Sequence, residues 1–186
     1  MISHPNKHYK NIILLITASL FIAGIGKFLF GQQMKHSIQS PSVEQLSGKI
    51  IAGSFNPENQ KSDAQWKKEL TPQQYHILRE AGTEVPFMGS LNNEKRAGVY
   101  FSVGCDKPVF RSEQKFESGT GWPSFWAPVD ENALVLRKEV KPGDDRIEVL
   151  DVCGGHLGHV FDDGPEPTGK RYCMNSAALY FVPDDN

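Results

Sequence analysis

The chain is poor in cysteine, with three in 186 residues. No two of them form a Cys-x-x-Cys pair. Without that pair or a βαβ pattern, the usual marks of a thioredoxin-like dithiol protein are missing. An odd count in an exported chain leaves one pair and one free thiol. Acidic residues are missing from residues 1–36, which hold four lysines. By difference from the net charge of −2, residues 37–186 carry −6. A mildly acidic domain argues against nucleic acid as a partner. The chain also lacks internal repeats and low-complexity tracts. At 39% hydrophobic and 23% charged, 186 residues make one globular domain with a short extension.

One long apolar run is present. Residues 12–30 are apolar apart from Thr17, Ser19 and Lys27, and Lys7 and Lys10 precede them. A charged start followed by an apolar stretch fits both a cleaved signal peptide and an uncleaved anchor. No Ala-x-Ala site follows, although Gly24-Ile25-Gly26 offers small residues for cleavage. The run approaches the ~20 residues that span a bilayer, and Lys27 can snorkel from its end. Residues 1–30 are therefore read as a membrane anchor, with the domain exported to the periplasmic side. No cysteine directly follows the run, so a lipid anchor is not indicated. Residues 31–60 are polar, broken by Gly and Pro, and read as a linker. The domain occupies residues 61–186.

Ser62 or Asp63 caps a helix over 64–70. Thr71-Pro72 opens a second helix that stops at Gly82. Trp66, Leu70, Tyr75 and Leu78 are expected to pack on a sheet. Short strands follow at 98–103, 109–110, 133–140, 146–152, 157–161 and 171–182. This is a mainly β fold with short N-terminal helices.

The last of these strands contains Cys173. Alternation places Arg171, Cys173 and Asn175 on one face and Tyr172, Met174 and Ser176 on the other. A guanidinium next to a thiol favours the nucleophilic thiolate, and an amide can donate to a polar substrate group. The competing reading is a small, inert residue in a core. In the preceding strand, His159, Phe161 and Asp163 share a face. His156 lies opposite unless Gly158 marks a bulge. Asp163-Gly164-Pro165 then turns the chain towards Cys173, so thiol, imidazole and carboxylate converge if the two strands pair. Residues 119–126 form an aromatic loop around Trp122 and Trp126, either a hydrophobic plug or a pocket wall.

The stretches GWPSF (121–125), HLGHVF (156–161), DGP (163–165) and RYCMNS (171–176) resemble the B-type methionine sulfoxide reductases. Thr83-Glu84, Pro86-Phe87 and KFESG (115–119) add to the match, which covers about residues 64–182. The resemblance implies two antiparallel sheets packed together. It also implies reduction of the R epimer of methionine sulfoxide in proteins or peptides. Trp122, with Phe161, then holds the substrate methyl group, and Glu84 or Asp163 with His156 engages the sulfoxide oxygen. Cys173 attacks sulfur, helped by Arg171. His159 or Asp163 supplies the proton, Asn175 orients, and Cys173 is left as a sulfenic acid.

Two departures stand out. Many relatives hold zinc with two Cys-x-x-Cys pairs, but here Ser102 and Leu150 occupy the first position of each. No zinc or other cofactor is expected. The surviving Cys105 and Cys153 would lie near one vanished metal and could form a disulfide. The relatives' resolving cysteine is here Thr120, so an external reductant is needed, a thioredoxin-like domain or a small thiol. Two alternatives remain: a binding module for oxidised methionine, which has no use for Cys173, and a thiol peroxidase or disulfide-exchange protein.

Overall fold

A computed structural model describes residues 48–56, 61–139 and 146–185. The anchor reading for 1–30, residues 31–47 and 57–60 of the linker, and Val140 of the 133–140 strand lie outside these. Among the described residues no helix is long and apolar enough to cross a membrane.

Both helices begin as their local sequence dictates. Ser62 caps α1 (Asp63–Glu69), and Gln65 returns its side-chain oxygen to the Ser62 N–H at 2.8 Å. Thr71 caps α2 (Pro72–Glu80) in the same way, with Gln74 accepting from Thr71 N–H at 3.0 Å. Each box satisfies N–H groups that the first turn leaves unpaired. Trp66 and Leu78 are buried as expected, and Leu70 packs on the edge of the core. Tyr75 is only half-buried and donates its hydroxyl to Asp63 at 2.5 Å. Ile77 takes the core position instead, because the helical period brings 77 and 78, not 75, beneath the sheet.

The strands form two antiparallel sheets. β1 (Gly48–Ala52), β6 (Leu134–Glu139), β7 (Ile147–Asp151), β8 (His156–Phe161), β9 (Arg171–Met174), β5 (Ser124–Phe125) and β4 (Lys115–Phe116) make the larger, in the spatial order given. The smaller runs β10 (Leu179–Pro183), β2 (Gly98–Ser102), β3 (Pro108–Arg111). Tyr100, Val109 and Phe110 of the small sheet meet Phe125, Val149, Val160 and Met174 of the large one, with Ile77 and Leu78 completing the core. Phe110 stacks on Phe125 at 4.3 Å, and Tyr100 meets Phe125 edge-on at 4.9 Å. Truncating such a ring to Ala costs about 3–5 kcal/mol.

Two expectations are corrected. Residues 48–52, read as linker, pair with β6; a Lys-Ile-Ile-Ala run between glycines suffices to add an edge strand. Residues 171–182 are not one strand. β9 ends at Met174, a 3-10 turn follows at Ser176–Ala178, and β10 belongs to the other sheet. The cause is Glu84. Its carboxylate accepts from Ser176 N at 2.6 Å and Ala177 N at 3.0 Å, replacing ladder bonds at the crossover.

Candidate active site

β8 and β9 pair antiparallel, with His159 opposite Cys173 and Phe161 opposite Arg171. The 163–165 turn therefore brings thiol and imidazole together. Partners in register share a face, so a polar row crosses the sheet: Arg137, Glu148, His159, Cys173, Ser124. The adjacent row, Ile147, Val160, Tyr172 and Phe125, is apolar. The reactive face and the apolar face are thus consequences of one alternation.

Cys173 is the free cysteine and is half-buried. It lies in a small cleft of about 140 Å³, lined also by Trp122, His159, Phe161, Asn175, Thr83 and Arg146, among others. Of the two loop tryptophans, Trp122 forms a wall of this cleft, while Trp126 lines a separate trough with Tyr172 and Thr168. Trp122 is fixed by its indole N–H, which donates to the Glu84 carbonyl at 3.1 Å.

Arg171 is clamped by Asp163, with Nε and Nη2 each donating to a carboxylate oxygen at 2.8 Å. Its guanidinium also lies 4.3 Å from the centre of the Phe161 ring. The Asp163 hydrogen bonds raise the Arg171 pKa, and the Cys173 sulfur contributes to the rise. In return Arg171 lowers the Asp163 pKa. Asp163 is thus an ionised clamp at neutral pH and does not line the cleft. This corrects the expectation that it donates a proton: its position in the turn points it at Arg171 rather than at substrate.

Glu84 is also corrected. It is buried, and its carboxylate is committed to the 176–178 turn, so it is not on the cleft wall. Its backbone does the positioning, donating N–H to Asn175 Oδ1 at 2.9 Å. Asn175 lines the cleft, but its amide also donates to Leu157 O at 3.1 Å. It braces β8 against β9.

A bulge in β8 at Leu157 shifts the register between Gly158 and His156. That moves His156 to the face of His159, and the rings meet at 5.3 Å. His156 is fully buried and engages Glu148 Oε1 through Nδ1 at 2.8 Å. It does not line the cleft and so makes no direct approach to a substrate oxygen; burial places it behind His159. Glu148 also holds Arg137, at 2.7 Å to Nε and 2.5 Å to Nη2. Burial alone would raise the Glu148 carboxyl, but the His156 hydrogen bond and the Arg137 charge outweigh it and hold it low. His159 Nε2 lies 3.4 Å from Glu139 Oε2. Burial, with His156 and Arg146, still lowers the His159 pKa below its ordinary value.

Cys105 and Cys153 form a disulfide, their Cα atoms 5.6 Å apart. It ties the turn after β2 to the turn after β7. Beneath it Asp151 accepts from Cys153 N at 3.0 Å, from Gly155 N at 2.8 Å and from the Ser102 hydroxyl. Burial raises the Asp151 carboxyl. Cys105, Asp151 and Cys153 are close enough to hold an ion, but disulfide sulfurs are not thiolate ligands and the carboxylate is already satisfied. With Ser102 and Leu150 in the other positions, these residues do not fit a closed zinc site.

Reading by motif gave no site role to Thr83, Arg146, Glu148 or Arg137, and gave Thr120 only as the replacement for a resolving cysteine. Thr83 and Arg146 line the cleft. Thr120 Oγ1 lies 3.8 Å from the Cys173 sulfur and 2.8 Å from Ser118 Oγ, which is 2.7 Å from Ser124 Oγ. Glu148 and Arg137 stand in strands whose alternation does not mark them. Only the three-strand register links them to the histidines.

Residues 70–183 match the SelR domain family. The chain is 53% identical over 128 residues to a peptide methionine sulfoxide reductase MsrB from Leptospira interrogans, covering 68% of this chain and 98% of that protein. It is 51% identical over 127 residues to MsrB of Methanosarcina barkeri, covering 68% of this chain and 89% of that one. It is 50% identical over 129 residues to MsrB of Agrobacterium fabrum, covering 69% and 96%. The site is carried on the matched residues, and the chain belongs to the MsrB family of peptide methionine sulfoxide reductases.

Proposed function

We propose that this chain reduces methionine R-sulfoxide in peptides and proteins, with Cys173 as nucleophile and an external thiol as final reductant. The carrying observation is the placement of the free cysteine in a small cleft between Trp122 and His159.

The methyl group rests against Trp122 and Phe161, where sulfur–aromatic contact is favourable. Cys173 attacks the sulfoxide sulfur with Arg171 at its side. His159, neutral at rest, takes the thiol proton of Cys173 as the sulfur attacks and passes it to the sulfoxide oxygen, and the S–O bond breaks. The oxygen then bonds to the Cys173 sulfur as the bond between the two sulfurs breaks; methionine departs with that electron pair, reduced by two electrons, and Cys173 is left as a sulfenic acid. Asp163 positions Arg171, Asn175 positions the strand pair, and His156 with Glu148 positions His159. No step uses a metal or cofactor.

Thr120 stands beside Cys173 where a resolving cysteine would act. Cys105 and Cys153 are paired with each other. Two equivalents of an outside thiol, or one thioredoxin-like dithiol, therefore return the sulfenic acid to thiol and release water. Residues 12–30 tether the domain at the exported face of a membrane.

The test is a single turnover without reductant. The full chain is mixed with an equal amount of a peptide sulfoxide and trapped with dimedone. The expected result is methionine formation with a dimedone adduct on Cys173. Methionine formed alongside a disulfide between Cys173 and Cys105 or Cys153 would refute the one-cysteine cycle.

A further inference from the structure

Four consecutive residues, Val85, Pro86, Phe87 and Met88, are exposed and begin two positions after Thr83, which lines the cleft. Val85 is 66% exposed, Phe87 65% and Met88 77%, while the next large apolar side chain among the described residues, Ile51, is 47% exposed. They adjoin Thr83, which lines the cleft, and Trp122, its wall. Apolar side chains scattered singly on a surface need no explanation, but a contiguous apolar patch beside a reactive site marks a contact surface.

The lip is built, not loose. Phe87 N donates to Gly121 O at 2.7 Å, and Met88 N to Val85 O at 3.3 Å. Trp122 Nε1 holds the carbonyl just before the lip. Gly121 has φ +94°, and a Cβ there would lie 2.8 Å from Phe87 N, so only glycine permits this approach. Phe87 itself has φ +66°, a conformation a bulky residue adopts only where its surroundings impose it. The loop is thus fixed with its apolar side chains exposed, next to Gly121 and the Trp122 wall of the cleft.

A cleft of about 140 Å³ takes the oxidised side chain, and the rest of a polypeptide substrate must lie across the rim. Methionine is commonly a core residue with apolar neighbours. Oxidation makes the side chain polar and disrupts the core that held it. A sulfoxide formed there is therefore presented on an opened segment whose flanking residues are apolar. Resting on the reading above, that the chain reduces peptide-bound methionine sulfoxide, we propose that residues 85–88 are a docking lip for the apolar residues flanking the oxidised methionine. They favour sulfoxides in opened, apolar segments over those in polar ones.

The experiment uses the full chain and the variants Val85→Ser/Met88→Ser and Phe87→Asn. Three substrates are compared: N-acetyl methionine sulfoxide, a pentapeptide with Leu and Val flanking the sulfoxide, and one with Ser and Gly flanks. The parent is expected to prefer the apolar-flanked peptide by about tenfold in kcat/KM, the scale of one partly buried apolar side chain. Both variants are expected to lose that preference through KM, while turnover of N-acetyl methionine sulfoxide stays within about twofold of the parent. Equal parental rates on the two peptides would overturn the lip and leave the proposed function standing. So would variants that lose the amino-acid substrate and both peptides alike, because the loop would then serve only the fold of the site. No turnover of any substrate by the parent would overturn both readings.

Discussion

Replacing Cys105 and Cys153 by Ser separates what the disulfide does for the fold from what Cys173 does for the chemistry. The bond closes a loop of 48 residues in sequence separation. In the chain-entropy account, opening a loop of that length lowers stability by about 4 kcal/mol. The surroundings limit any additional loss. Ser102 and the backbone of residues 153 and 155 continue to bond Asp151, so the two turns remain joined by a buried hydrogen bond. For a domain of this size each kcal/mol corresponds to about 4 °C, so the midpoint should fall by roughly 15 °C. Reversible urea unfolding of parent and double variant, each extrapolated with its own slope because the opened loop expands the unfolded chain, measures the difference. The turnover rate with dithiothreitol should be unchanged at 25 °C, because neither sulfur is in the cleft. A stability loss below about 1 kcal/mol would refute the role given to the disulfide. A variant that performs one turnover and then stalls with sulfenic acid, while the parent cycles, would refute the one-cysteine route.

Glu148→Gln should destabilise by about 3–5 kcal/mol, since it leaves the 7%-exposed Arg137 without its charge partner; a loss under 1 kcal/mol in urea unfolding would show that the pair is dispensable. His159 has a folded pKa below its ordinary 6.5, so as pH falls through 6.5 the unfolded chain takes up the proton first and folding loses stability. Between pH 7.5 and 5.5 the parent midpoint should therefore fall further than that of His159→Asn; parallel curves would contradict this. His159→Asn should also slow the single-turnover chemical step by about 100-fold, and an unchanged rate would place the proton donor elsewhere. Trp122→Ala should raise KM for a peptide sulfoxide by about tenfold, and an unaltered KM would move the methyl site away from this wall.

What could be read from sequence was what is local. The two helix N-caps and the turn at 163–165 are written in adjacent residues, and that turn brings His159 and Cys173 together once the two strands pair. A bulge that re-aims His156 was legible as an alternative from Gly158, although the extra residue is its neighbour Leu157. Glu84 was not legible. A carboxylate in a familiar motif reads as a ligand, and only the crossover between sheets shows it capping the 176–178 turn. Asp163 failed similarly: the alternation that puts it on the reactive face stops where the turn begins, and its partner is the neighbouring guanidinium. Glu148 looks solvent-facing between Ile147 and Val149. It becomes a buried brace only because β6 and β8 supply Arg137 and His156. Edge strand β1 was lost among polar, glycine-broken neighbours, a stretch whose order depends on β6.

The most direct test of the central claim is stereochemical. The full chain and its Cys173→Ser variant are incubated with racemic methionine sulfoxide and dithiothreitol, and the remaining sulfoxide is resolved on a chiral column. The parent should consume the R epimer and leave the S epimer, and the variant should consume neither while keeping the parent's unfolding midpoint. Turnover by the folded variant, or consumption of the S epimer by the parent, would contradict the account.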